Sequence, residues 1–177
     1  MAASPLTRAI FLAALLTPGL AFAFPDGAPW DTLNNPVEAC AQCHFDAEPV
    51  EDSPALSLSG LEEGAIAGER YLLSLSFAAE DSDVVGFMAS MQNSADGAAG
   101  AMSSDNDRVK ARAAVARSTL KSSRSGDGAA KWSFHWRAPD VSGPLTLRIA
   151  ANAGNGDASQ FGDTMHLKSI DIDVREK

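Results

Sequence analysis

Trp132-Ser133-Phe134-His135-Trp136-Arg137-Ala138-Pro139 is the stretch from which the rest of the chain becomes legible. Rings at 132, 134 and 136 alternate with Ser133, His135 and Arg137. That period of two is what a half-buried strand needs, and Pro139, which has no N–H for a ladder, closes it. Three large rings on one side are a core stripe rather than a sugar-binding platform, because alternation is what a buried sheet face demands.

The same alternation recurs on both sides. Leu56 and Leu58 alternate with Ser57 and Ser59, and Tyr71, Leu73, Leu75 and Phe77 with Leu72, Ser74 and Ser76. Val85, Phe87, Ala89 and Met91 share one face, with Met88 on the other. Leu145, Leu147, Ile149 and Ala151 alternate with Thr146, Arg148 and Ala150. In the run from Met165 to Val174, Ile170, Ile172 and Val174 oppose Asp171 and Asp173. Turns are expected at Gly60 to Gly68 and at Asp81-Ser82-Asp83. Short alternating strands divided by Gly, Pro, Asn and Asp predict an all-β fold, an antiparallel β-sandwich over residues 55–177. Asn93 to Ala130, rich in Ala, Ser, Gly and Asp, is the exception. It reads as a long hairpin excursion or as a short helix capped by Asp107, with Val109, Ala113, Ala116 and Leu120 on one side.

Upstream of the strands the character changes. Residues 1–23 read as a secretory signal peptide: Arg8 in the n-region, an apolar Ile10 to Leu16, and a small-x-small site at Ala21-Phe22-Ala23. Cleavage after Ala23 is expected, with a periplasmic or secreted location and no membrane span afterwards. No cysteine follows the apolar run closely, so a lipoprotein anchor is not expected. Residues 24–54 form an irregular lead segment, punctuated by Pro25, Pro29, Pro36, Pro49 and Pro54, with Trp30 as a packing anchor.

Inside that segment lies Cys40-Ala41-Gln42-Cys43-His44, which contains both cysteines of the 177-residue chain. C-x-x-C-H is the attachment motif of c-type haem. Two thiols add across the haem vinyl groups, and the adjacent histidine is carried to the iron. Cys40 and Cys43 are thus the candidate attachment sites for one covalent haem c, and His44 is the proximal ligand. The alternatives are a local Cys40–Cys43 disulfide, natural in an oxidising compartment, or another metal or redox role. Zinc would need four ligands and there is no second C-x-x-C. A thioredoxin-like pair would need a βαβ setting. Candidates for the sixth iron position are His135, His166, Met88 and Met165, with Met91 and Met102 further off; methionine would raise the potential relative to histidine. His135 should lie on a sheet surface where the lead segment can fold over it.

The formal net charge is −9, unevenly spread. Arg108 to Lys131 holds seven Lys and Arg against one acid, Asp127. An acidic body with one basic segment argues against nucleic acid and leaves a charged protein, such as a redox partner protein, as the expected partner. The plain alternative is a solvated loop. Asn152, Asn155, Asp157 and Asp163 offer oxygens to calcium, but their interleaved glycines suit turn chemistry better. There is no nucleophile motif, phosphate loop or hydrolase signature, so no enzyme activity is expected.

Taken in order, the C-x-x-C-H lead, Gly68-Glu69-Arg70-Tyr71, Val85-Gly86-Phe87-Met88, Trp132 to Pro139 and Ala150-Ala151-Asn152-Ala153-Gly154-Asn155-Gly156-Asp157 resemble the bacterial choice-of-anchor V domain, a relative of the reelin-type (Reeler) domain. The resemblance covers nearly all of the chain after the signal peptide and implies a secreted, immunoglobulin-like β-sandwich. It fixes no reaction, so function must come from the site. Two classes follow: an exported electron-transfer or haem-sensing protein, and a non-enzymatic binding or adhesion module stapled by a disulfide.

Overall fold

The computed structural model describes residues 30, 40, 47–79, 82–122, 129–157, 159 and 161–177. Its strands are β1 (Leu56–Ser59), β2 (Ala65–Ile66), β3 (Arg70–Ala78), β4 (Val84–Asn93), β5 (Ala101–Ser103), β6 (Val109–Arg112), β7 (Val115–Ser118), β8 (Ala129–Arg137), β9 (Gly143–Gly154) and β10 (Thr164–Arg175). They form two sheets, in the orders β1-β3-β8-β5 and β2-β10-β9-β4-β7-β6. Among the described residues, no helix is long and apolar enough to cross a membrane.

The aromatic stripe sets the core. β3 and β8 run antiparallel with Tyr71 opposite Trp136, Leu73 opposite Phe134 and Leu75 opposite Trp132. Trp132, Phe134 and Trp136 are 2%, 1% and 0% exposed. The facing sheet makes room with small side chains: Ala89 pairs with Ala116, and Phe87 with Ala151. Phe87 then enters the other layer, its ring 4.8 Å from Trp132 and 5.8 Å from Phe134. Large residues set against small ones fill the inter-sheet space at interior density. The all-β sandwich expected from the alternation is therefore present.

One bend has to be glycine. Trp136 Nε1 donates to Ala99 O at 3.1 Å, which draws the next residue, Gly100, hard against the end of β8. A Cβ there would lie 2.2 Å from Arg137 O and 2.6 Å from Trp136 Nε1, and its φ is +72°. No side chain fits that space or favours that backbone region.

The described residues between 93 and 130 resolve in favour of the excursion. Met88–Ser90 of β4 ladder with β7, and β6 folds back on β7 as a hairpin. Val109, Ala114 and Ala116 join the core. An Ala-rich helix would bury too little area to compete with a ladder that also closes the sheet. Asp107, expected as a helix cap, instead pairs with Lys121, and its carbonyl accepts from Thr119 Oγ1 at 2.7 Å. Of the described basic residues of this stretch, Lys110, Arg112, Arg117 and Lys131 sit on strands. Arg117 is buried at 7% exposure, because a strand carries its long stem along the sheet surface.

Two further features lay outside the sequence expectation. The Gly60 to Gly68 turn contains β2, which pairs in parallel with Val174 and Arg175. The end of the lead segment is stitched to β10: Val50 N donates to Met165 O, Leu167 N to Val50 O, and Ser53 N to Leu167 O, at 2.8, 2.9 and 2.8 Å.

Candidate functional site

The site begins with the side of the six-stranded sheet that faces away from the core. Successive residues of a strand point to opposite faces. Since Phe87, Ala89 and Met91 belong to the core, Gly86, Met88, Ser90 and Gln92 lie on the outer face. Register aligns Met88 with Ala150 and Ala150 with Leu167; beside that row, Gly86 aligns with Asn152 and Asn152 with Met165. These outer-face positions carry no charge, and Met88, Ala150, Met165 and Leu167 are buried.

The lead segment meets this face. Cys40 is half-buried and packs against the cluster of Ala150, Met165 and Leu167. Farther along the same face, where Arg117 stands opposite Met88, Trp30 lies under the Arg117 guanidinium, 4.2 Å from carbon to ring centroid. That contact is a cation–π pin, in keeping with the anchor role expected of Trp30. Cys43 and His44 lie outside the described residues, as do 1–29. The floor next to Cys40 suits a porphyrin chemically: it is apolar and buried, and it contains the soft thioether of Met165.

The four candidates for the sixth position fall in different places. Met165 touches the Cys40 cluster. Met88 shares its outer face, one strand beyond Ala150. His166 points the opposite way. Its ring meets Phe77 edge-on at 5.0 Å, and Nδ1 lies 2.8 Å from Ser53 Oγ. That hydroxyl already accepts from Ala55 N at 3.2 Å, which leaves its proton for Nδ1 of a neutral ring, a tautomer assigned from the network. Burial pushes the His166 pKa below its usual value, which also favours the neutral ring. His135 stands on the outer face of the other sheet, between Leu72 and Ser103 in register, with Nδ1 3.3 Å from Asp105. The described part of the lead segment covers the sheet that does not contain His135. Met91 and Met102 lie in the main core.

The Asn/Asp loop is engaged with itself. Asn152 Nδ2 donates to Asp163 Oδ2 at 2.8 Å, Asn155 N to Asp163 Oδ1 at 3.3 Å, and Asp157 N to Asn155 Oδ1 at 3.1 Å. The last is an Asx turn, and the first two tie the loop to the Asp163 carboxylate. Among the described residues, no group of three or more His, Cys, Asp or Glu is arranged to hold a metal ion.

With this geometry in view, the solved structures give a clear likeness. The crystal structure of the human F-spondin reeler domain superposes with a TM-score of 0.54 at 13% identity, over 73% of this chain and 96% of that one. A crystal structure of the Reelin-N domain of F-spondin gives 0.55 at 12% identity, over 76% and 96%. The chain has the fold of a Reeler domain. At this identity the likeness is one of fold alone. No protein-family model and no curated protein matches the chain.

The covered outer face was missed by sequence reasoning, although a signal for it exists. Gly86, Met88, Ser90 and Gln92 alternate with core residues but carry no charge. An outward strand face without charge is usually a face with something on top of it.

Proposed function

We propose that this chain is an exported, non-enzymatic Reeler-type module of the choice-of-anchor V kind. It carries one covalent c-type haem on its lead segment and serves electron transfer with a redox partner protein. The observation that supports this reading best is the position of Cys40 over a buried apolar floor built from Ala150, Met165 and Leu167. Cys40 and Cys43 would hold the group by thioethers, and His44 would ligate its iron. A haem bound there supplies a one-electron couple. Met165 is the sixth ligand we favour, because it alone among the four candidates packs in the Cys40 cluster. His166 is turned to the inner side and occupied by Ser53.

The Reeler fold itself also suits a binding or adhesion module in which Cys40 and Cys43 form a local disulfide. One experiment decides between the two. Protein exported from a host with active cytochrome c maturation should keep haem through denaturing electrophoresis, because thioethers survive denaturant, and should stain for peroxidase at its own band. A colourless band from a host that matures other c-type cytochromes overturns the haem reading and leaves the disulfide.

A further inference from the structure

The border strand of the six-stranded sheet, β6, reads Val109-Lys110-Ala111-Arg112. Val109 and Ala111 turn toward the core, so Lys110 and Arg112 stand two residues apart on the outer face, the one that Trp30 and Cys40 also meet. Both are exposed. Among the described residues neither has an ion-pair partner. The acids around them are engaged elsewhere: Asp105 lies 3.6 Å from Arg70, Asp107 pairs with Lys121, and Asp96 lies 3.3 Å from Arg148. Two unanswered cations side by side make a local positive field in a chain of formal net charge −9.

Register ties this patch to the floor beneath Cys40. Lys110 stands opposite Arg117, Arg117 opposite Met88, Met88 opposite Ala150, and Ala150 opposite Leu167. At one strand spacing per step, Lys110 is about 14 Å from Ala150 along that row.

We propose that the hairpin of β6 and β7 is the docking surface for a redox partner protein that meets it with an acidic face. The proposal rests on the haem reading above and adds where the partner docks and with what charge. Range decides in its favour. At about 0.1 M salt a charge is felt over about 10 Å. A partner arriving at the hairpin therefore meets Lys110 and Arg112, with Arg117 behind them, and not Asp171 and Asp173 of β10. Those acids lie four strands across the sheet, or roughly 19 Å. Carboxylates laid against unpaired surface cations steer encounter and fix register. A nucleic-acid backbone would call for a longer run of cations than two. A second copy of this acidic chain is the competing occupant.

The test uses the haem-loaded, exported full chain and two small oxidants of opposite charge, hexacyanoferrate(III) and tris(phenanthroline)cobalt(III). Each takes one electron from the ferrous protein, which becomes ferric while the oxidant becomes hexacyanoferrate(II) or the cobalt(II) complex. Stopped-flow absorbance gives the rate constants between about 0.1 M and about 1 M salt. If only the net charge of −9 acted, added salt would speed the anion and slow the cation. Entry over the hairpin gives the opposite sign, so hexacyanoferrate(III) should slow as salt rises. Lys110→Glu with Arg112→Glu should lower its rate constant at the lower salt by about tenfold, the low end of electrostatic steering, and reverse the salt dependence. Lys131→Glu with Arg137→Glu makes the same change of net charge on the other sheet and should change the rate by less than about twofold, being screened. Matched thermal melts keep loss of fold apart from loss of steering. With an acidic ferredoxin as the protein probe, amide shift changes should centre on β6 and β7. A wild-type anionic rate that rises with salt, equal effects of the two variant pairs, or shift changes that are absent or centred elsewhere overturns the proposal. Self-association in sedimentation that Lys110→Glu with Arg112→Glu abolishes also overturns it, and makes the hairpin an interface between copies. A colourless wild type fails the haem reading and this proposal with it, whereas a haem-loaded protein with the wrong salt dependence fails the proposal alone.

Discussion

Ser53 Oγ lies 2.8 Å from Nδ1 of His166 and joins the lead segment to the last strand across 113 positions of sequence. The ring is held neutral there, because burial lowers its pKa below 6.5. An unfolded chain takes up a proton at this histidine at a higher pH than the folded one. The contribution of the site to stability is therefore complete above the unfolded value, about 6.5, and shrinks as pH falls from there toward the lower folded value. We expect the urea midpoint to drop between about pH 8 and about pH 5, and His166→Gln to flatten that drop. An unchanged slope in the variant would assign the pH dependence to carboxylates.

Cys40 packs on the smaller outer cluster and not in the main core between the sheets. Replacing both cysteines, Cys40→Ala with Cys43→Ala, should abolish haem and any redox signal. A cooperative β-rich unfolding transition should remain, at a cost of a few kcal/mol at most, roughly that of a lost cross-link or contact set. Circular dichroism and chemical denaturation check both halves. An unfolded double variant would mean that the attached group belongs to the core.

Met165→Leu conserves volume and should cost less than about 1.5 kcal/mol in stability. In haem-loaded protein it should nevertheless shift the visible spectrum and lower the reduction potential, whereas His166→Gln and His135→Gln should leave both unchanged. Redox titration with matched thermal melts separates the two effects. A spectrum that responds to His135 or His166 instead would transfer the sixth position to that histidine.

Gly100→Ala should be among the most damaging single-methyl additions in the chain. The new Cβ would fall 2.2 Å from Arg137 O in a backbone region with φ of +72°, and would displace Trp136 from Ala99 O. A loss on the order of 3 kcal/mol is expected from strain and the orphaned indole N–H together. Urea denaturation measures it. A loss within experimental scatter would show that the β8 end yields easily.

Much of the sandwich was legible because its strands obey a period of two with aromatics on one side. Trp132, Phe134 and Trp136 announce β8, and Ile170, Ile172 and Val174 announce the end of β10. Asn93 to Ala130 was ambiguous for a physical reason. Alanine suits a helix by propensity, yet Val109, Ala114 and Ala116 serve equally as small inward residues of a hairpin once β4 offers a ladder. The β2 pairing was invisible, since two residues carry no periodicity. The site was legible only as a motif. C-x-x-C-H identifies a chemistry, whereas the floor beneath Cys40 is assembled from residues 150, 165 and 167, whose nearness depends on the register of β9 and β10, and Cys40 reaches it from more than 100 positions away. Ser90 and Gln92 looked like ordinary outward polar residues, because burial of a strand's far face depends on what else the chain lays over it.

The partial pairing along β10 bears on how the molecule avoids its own kind. A twelve-residue strand at a sheet border is a template for another chain. Here the border is closed at one end by Val50 and Ser53 and at the other by Ala65 and Ile66, which leaves Ser169 to Ile172 without a backbone hydrogen-bond partner on that side among the described residues. Asp171 lies in that stretch and Lys168 and Asp173 flank it, charges that discourage a flat partner strand. A chain clipped just before Pro54 would lose the Val50 half of this guard. The apolar rows at Met165 and Leu167 would then be offered to edge-to-edge assembly, so the proline-rich lead doubles as a solubility device.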